Sequence, residues 1–351
     1  MTTQPESDHL PERGPSSPED VLPAVKPPSA GFLLQLFLIP MLIVSVIVLV
    51  WLMFSWLASA GSQPHELVRD LKKLNNSSWQ KASSLADLLR DPQYDKLKDD
   101  VELAQELAEV LKTEMASGSV DPVRLKLRVY LCRMLGEFRV EEVLPTLIEA
   151  ANQQKSPEEI HVRAAAIEAL ALVISTRGPE SLRDSQPLRD SLLEASKVVA
   201  TGDDPENLYP EVRSRAAFAL GILGGDAATE RLEQMLHDAY PNARFNAATG
   251  LARQGDPRCT TVLLEMLDPQ SSESIKGETK ASNQEAKRLS VLVNGMRAAE
   301  LLAERQGKAD RAEVAQLRAA IEKLPQAGLS RAVTLVAEET LHRMDASSSA
   351  K

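Results

Sequence analysis

The sequence predicts an all-α fold, an α-solenoid of helical hairpins preceded by a single transmembrane helix. Three observations carry that expectation. An arginine-centred pattern recurs in a fixed register along the chain. Aromatic residues fill only 4% of the 351 positions while alanine and leucine are abundant, which is the composition of stacked helices rather than of sheets. Residues 32–58 carry no charge at all.

The elements follow in chain order. Residues 1–31 hold seven prolines, two basic and five acidic side chains and no apolar period, so a disordered Pro-rich tail is expected there. Pro15 and Pro18 form a PxxP match of the sort any Pro-rich stretch throws up. The uncharged run 32–58 is 27 residues long, whereas about 20 apolar residues cross a bilayer core. It can span with tilt, or begin its helix near Pro40, where a missing N–H does no harm. Phe32, Phe37, Trp51 and Trp56 stand where interfacial aromatics belong.

Ala58, Ser59 and Ala60 read like a signal-peptidase site, but the apolar core is far longer than the roughly 7–15 residues of a signal peptide and the preceding tail is acidic. An uncleaved anchor is the expectation. Arg13 and Lys26 precede the span, and Arg69, Lys72 and Lys73 follow it, which turns the large C-terminal part toward the cytoplasm by the positive-inside rule. Residues 61–77 are expected to hold a juxtamembrane amphipathic helix, with Leu67, Leu71 and Leu74 on one face. The same spacing suits the first packing helix of the following domain.

The repeat register is clearest when Arg128, Arg163, Arg213 and Arg244 are set as position zero. Leu127, Val162, Val212 and Ala243 stand one residue earlier, and Leu131–Cys132, Ala166–Ile167, Ala216–Ala217 and Ala247–Ala248 stand three and four later. Leu135, Leu170, Leu220 and Leu251 occupy position seven, with Gly136, Ala171, Gly221 and Ala252 next to them. Offsets of −1, 3, 4 and 7 mark one helix face, and its small residues let a neighbouring helix approach. Twelve residues past three of those leucines stand Leu147, Leu232 and Leu263, which open a second helix. Between the two helices lie the turn signals Gly224–Gly225–Asp226 and Gly255–Asp256–Pro257, with Asp226 and Asp256 as expected N-caps. The hairpins repeat at spacings of 35, 50 and 31 residues. One hairpin cannot bury its own apolar face, but stacked neighbours share a continuous core.

The stretches VRSRAAFALGILGG (212–225) and ARFNAATGLARQGDP (243–257), with VRAAAIEAL (162–170) and LRVYLCRMLG (127–136), resemble HEAT repeats. The likeness is to the short bacterial kind also called phycobilisome-lyase-like, and it is clearest over 120–270. It implies a solenoid spanning 78–346, with a disordered tail at 347–351. It further implies a scaffold holding other proteins along a curved surface, with a minority of such proteins handling chromophores or nucleic acid. Toward the ends the pattern degenerates. WQKASSLADLL (79–89) puts Lys81 in the arginine's place, 284–323 reads as a further helix pair and 328–344 as a final lone helix. Extra residues at 176–187, 201–210 and 268–285 map to loops on the solenoid faces, where partners often bind.

Motifs for chemistry are missing. The sequence has no HExxH, CxxC, GxSxG, P-loop or GxGxxG, so no catalytic, cofactor-binding or metal-ligating residue is assigned and no cofactor is expected. Cys132 takes a small-residue slot of the register, and Cys259 falls in a helix's first turn without a base beside it. Asp203, Asp204 and Glu206 lack the alternation of a calcium loop, and Asn75 and Asn76 head glycosylation sequons. The arginine column is read as repeat-to-repeat hydrogen bonding.

In solenoids resembling this one the second helices line the concave side. The candidate partner-binding stripe there is Glu149, Gln234 and Glu265, with Asn152, His237 and Asp268 three residues on. A net charge of −10 disfavours nucleic acid. The functional expectation is a single-pass membrane protein presenting a HEAT-like scaffold to protein partners. A lyase-like or cofactor-handling protein is the alternative.

Overall fold

A computed structural model describes residues 29–60, 64–71, 78–154, 156–197, 208–306 and 312–349. Several features of the sequence lie outside the described residues: the tail to residue 28 with Arg13, Lys26 and its PxxP match, Lys72, Lys73, Leu74, Asn75 and Asn76, and the acidic loop of Asp203, Asp204 and Glu206. The chain divides into two units, residues up to Ser62 and residues from Gln63.

Among the described residues the first unit holds one helix, α1 (Ala30–Ala60). Ser29 starts it, accepting from the Phe32 backbone N–H at its carbonyl (2.9 Å) and at its hydroxyl (3.2 Å). The helix therefore begins inside the expected tail and runs through Pro40 rather than starting there. From Leu34 to Ser55 it is apolar and long enough to cross a membrane, and none of that window is buried.

In the second unit every described element is helical. The leading helix, α2 (Pro64–Leu71), buries Val68 and Leu71 against α3 (Ser78–Arg90) and α4 (Val101–Ala116). Leu71 of the expected apolar face thus packs within the array, while Leu67 is half-buried and Leu74 lies outside the described residues. Lys81, in the degenerate arginine slot of α3, pairs with Asp70 at 2.6 Å.

The repeats proper follow: α5 (Pro122–Gly136) with α6 (Leu144–Ala151), then α7 (Ile160–Arg177) with α8 (Pro179–Leu182) and α9 (Gln186–Ala195). Next come α10 (Leu208–Leu223) with α11 (Asp226–Met235), and α12 (Pro241–Gln254) with α13 (Thr260–Met266). The last helices are α14 (Ala281–Gln306), α15 (Ala312–Lys323) and α16 (Arg331–Ser349). The final helix covers residues 347–349, where the sequence suggested a disordered tail; the run of small residues at Ala346–Ser349 offers no helix stop.

The hairpins stack in two layers. Each first helix packs on the next, in the series α3, α5, α7, α10, α12, α14 and α16, while α4, α6, α9 and α11 follow one another behind them. Every residue at offsets 3, 4 and 7 from the column arginines is 0% exposed, from Leu131 to Leu251, as are Leu147, Leu232 and Leu263 of the second helices. Burying a leucine fully is worth about 1.5–3 kcal/mol, so this face holds the array together.

Small residues set how closely the first helices cross. A Cβ on Gly221 would lie 2.6 Å from the Gly250 Cα, and one on Gly136 would lie 2.8 Å from the Ala169 Cα. At the end of α12, Gly255 adopts φ +78° and the Asp256 N–H closes back on the Leu251 carbonyl at 3.0 Å, a Schellman-type stop that a Cβ would strain. Asp256 then caps the next turn, accepting from the Arg258 N–H at 3.0 Å, with Pro257 behind it. The companion cap falls one residue earlier than the sequence suggested: Gly225 occupies the N-cap of α11 and Asp226 is its first helical residue.

Candidate functional site

The arginine column forms a set of clamps on the loops between repeats. In the first turn or two of each first helix, the side chain reaches a carbonyl before its helix, a carboxylate in or after the second helix of its hairpin, or both. Arg128, 0% exposed, donates to the Ser119 carbonyl and to Glu159. Arg163 donates to the Ala151 carbonyl at 3.1 Å. Arg213 grips the Asp238 carboxylate through two hydrogen bonds of 2.9 Å. Arg244 donates to the Asp238 carbonyl at 2.8 Å, to Glu265 at 2.6 and 3.2 Å and to Glu273 at 3.2 Å.

Asp238 therefore ties two successive arginines together, one through its side chain and one through its backbone. Burial pushes its carboxyl up, but the Arg213 guanidinium and the Tyr240 N–H outweigh burial and hold it below the usual carboxylate range. Arg163 has no such acid among the described residues, and burial pulls its guanidinium down. These bonds tie helices to the loops and helices that flank them, and none of the column arginines lines the three clefts of the first-helix layer.

The six stripe residues are not equivalent. Glu149, Gln234, Asn152, His237 and Asp268 are exposed, but several are engaged. Glu265 belongs to the Arg244 clamp, Asn152 accepts from the Ser191 hydroxyl of α9 at 2.9 Å, and Gln234 accepts from Arg231 at 2.9 Å. Asp268 accepts from the Gln270 N–H at 2.9 Å within its own turn. The loop expected over 268–285 ends early, because α14 begins at Ala281; within it Glu273 is likewise taken up by Arg244, which pins that segment to the array.

Neither thiol is poised for chemistry. Burial pushes Cys132 and Cys259 up to about 12, and the Cys259 Sγ donates to the Asp256 carbonyl at 3.0 Å. Among the described residues no group of three or more His, Cys, Asp or Glu side chains could hold a metal ion.

Open volume lies instead on the first-helix layer. Three clefts of about 490, 450 and 500 Å³ run over α5, α7, α10, α12 and α14. Arg133 lines both of the first two, and Phe218 lines the second and the third, so together they form one trough. None of the stripe residues lines it. Its lining includes offsets 5 and 9 of the repeat register: Arg133 and Glu137, Glu168 and Leu172, Phe218 and Ile222, Thr249 and Arg253. The sequence reading passed over these positions because they share no residue type. The one available signal was Phe218, 42% exposed, at a slot otherwise filled by Arg, Glu and Thr.

A family profile described as HEAT repeats matches residues 119–201 and 206–281. These stretches hold α5 through α13, so this part of the chain is a HEAT-repeat array. A comparison with curated proteins finds no match. Among solved structures, the chain is similar to the Escherichia coli protein YibA, with 20% identity and a TM-score of 0.31, over 80% of this chain and 97% of that one. It is also similar to human deoxyhypusine hydroxylase in complex with glycerol, with 16% identity and a TM-score of 0.27, over 76% and 97% of the two chains.

Proposed function

We propose that this chain is a membrane-anchored scaffold: α1 holds it in a bilayer and the HEAT-repeat array presents its surfaces to protein partners. One observation supports the reading most strongly. The window Leu34–Ser55 is apolar with no buried residue, a surface that water penalises at roughly 25 cal/mol per Å². The array offers open clefts on its first-helix layer, and among the described residues no His, Cys, Asp and Glu group that could hold a metal ion. The count of Lys and Arg around the span favours a cytoplasmic array, and the length of the apolar run favours an anchor left uncleaved at Ala60.

Carbonate extraction of membranes, intact mass and protease protection test this together. The expected result is a full-length chain that stays in the pellet, with its array accessible only from the cytoplasmic side. A soluble chain with the mass of residues 61–351 would replace the anchor with a released solenoid. The lyase-like alternative would show itself as a small molecule co-purifying with the chain.

A further inference from the structure

The trough on the first-helix layer changes chemistry along its length. In its middle stretch, over α7 and α10, Leu172 and Phe218 are large apolar side chains left 37% and 42% exposed, with Ile222 beside them. Acids and arginines share this stretch: Arg90 pairs with Glu137 at 3.0 Å and Glu168 with Arg215 at 2.6 Å, with Arg133 also lining it. At the α12–α14 end the acids are missing. Arg253, Lys287 and Arg297 line the 500 Å³ cleft, and no acidic side chain lines it with them.

Lys287 is committed to the Lys276 carbonyl at 2.7 Å and to Glu278 at 3.7 Å. Arg253 is not committed. Its Nη1 is buried with no hydrogen-bond partner, and burial alone acts on its guanidinium, pulling it below its ordinary value. A buried, unmade charged hydrogen bond is costly to a fold. Nη1 lies 3.7 Å from where a Cβ on Gly221 would stand, beside the close crossing of Gly221 and Gly250. Three uncharged amides, Asn242, Asn246 and Asn294, line the same cleft as Arg253. On a chain of net charge −10, a basic pocket without its counter-charge is a local reversal.

The geometry points to this trough as the docking site for an extended acidic segment of a protein partner, its apolar side chains on Leu172 and Phe218 and its carboxylates on Arg253 and Arg297. The occupant is chosen by charge complementarity at the α12–α14 end and by the adjoining apolar stretch that shares Phe218 with it. A small oxyanion would need only the Arg253 cleft and would leave the apolar stretch bare. The inference rests on the scaffold reading and names the surface it uses.

The test is fluorescence anisotropy on the full chain in nanodiscs. The probe is a fluorescein-labelled dodecapeptide with Leu and Phe in its first half and Glu and Asp in its second. Its analogue with Gln and Asn for the acids is the control. The acidic peptide should bind more tightly than the control, and more weakly as salt rises. Arg253→Gln and the exposed Arg297→Gln should each weaken it about tenfold or more, as loss of a charged hydrogen bond does, and Phe218→Ser should weaken both peptides. Arg297→Gln guards against a folding artefact at Arg253, with thermal melting as the check.

Equal binding of the two peptides, or indifference to both arginine substitutions, would overturn the proposal. So would complete displacement of the peptide by millimolar inorganic phosphate with no effect of Phe218→Ser, which would mark a small-oxyanion pocket. A partner cross-linked in membranes through the second-helix stripe, with the trough silent, would overturn this inference and leave the scaffold standing. No protein cross-link from either face would remove both.

Discussion

Arg213 and Asp238 show what a single residue contributes here. Their side chains are 9% and 4% exposed, so removing one partner leaves the other charge buried. Arg213→Ala is expected to cost about 3–5 kcal/mol, read as a fall in denaturation midpoint. The pH dependence has a definite sign. The Asp238 carboxyl sits below its unfolded value, so its stabilisation is complete above the ordinary carboxylate range and is lost as pH falls through the lowered value. The melting difference between wild type and Asp238→Asn should hold steady from neutral pH to about pH 5 and shrink below about pH 4. At Arg128 and Glu159, both nearly inaccessible, Arg128→Met alone should destabilise more than Arg128→Met with Glu159→Leu, because the double change removes the stranded charge. The arginine column was legible in the sequence, but its acceptors were not. Ser119, Ala151 and Asp238 act through backbone carbonyls, and a carbonyl leaves no mark on residue identity.

At the scale of helices, the register foretold the buried face completely and the crossing only by half. Position eight, with Gly136 and Gly221, stood out as small. Its counterpart is position six of the next repeat, Ala169 and Gly250, and that pairing becomes visible only when neighbouring helices are laid against each other. Gly221→Ala should therefore cost about 1–3 kcal/mol by overpacking, far more than an alanine at an open helix site. The same substitution should also disturb Arg253, whose Nη1 stands just beyond. The trough-lining offsets 5 and 9 escaped notice for a physical reason. A face that is neither core nor uniformly charged carries no hydrophobic period, so Phe218 and Arg253 read as ordinary surface. The second-helix stripe had the opposite problem: Glu265 looked available because its partner Arg244 lies 21 residues away in sequence.

At the scale of the whole chain, the long apolar helix and the array were both plain in the sequence, since each rests on a long run of like choices: the uncharged residues 32–58 and the repeated arginine helix. Arginines placed at the middle of the span should be costly in proportion, about 2.5–3.5 kcal/mol each for Val44→Arg and Ile47→Arg. The double variant should leave the carbonate-washed membrane pellet while keeping the helical signal of the array. What binds the array could not be read, because a scaffold's specificity lies in exposed side chains that the fold does not constrain.

The most direct measurement is site-specific photo-cross-linking of the full chain in its own membranes, with the photoreactive residue placed at Phe218 in one sample and at Gln234 in another. The account predicts a discrete protein adduct in carbonate-washed membranes, formed from Phe218 and lost when Arg253 and Arg297 are changed to Gln. A chain that carbonate extracts, or one that yields no protein adduct from either position while a small molecule co-purifies, would contradict it.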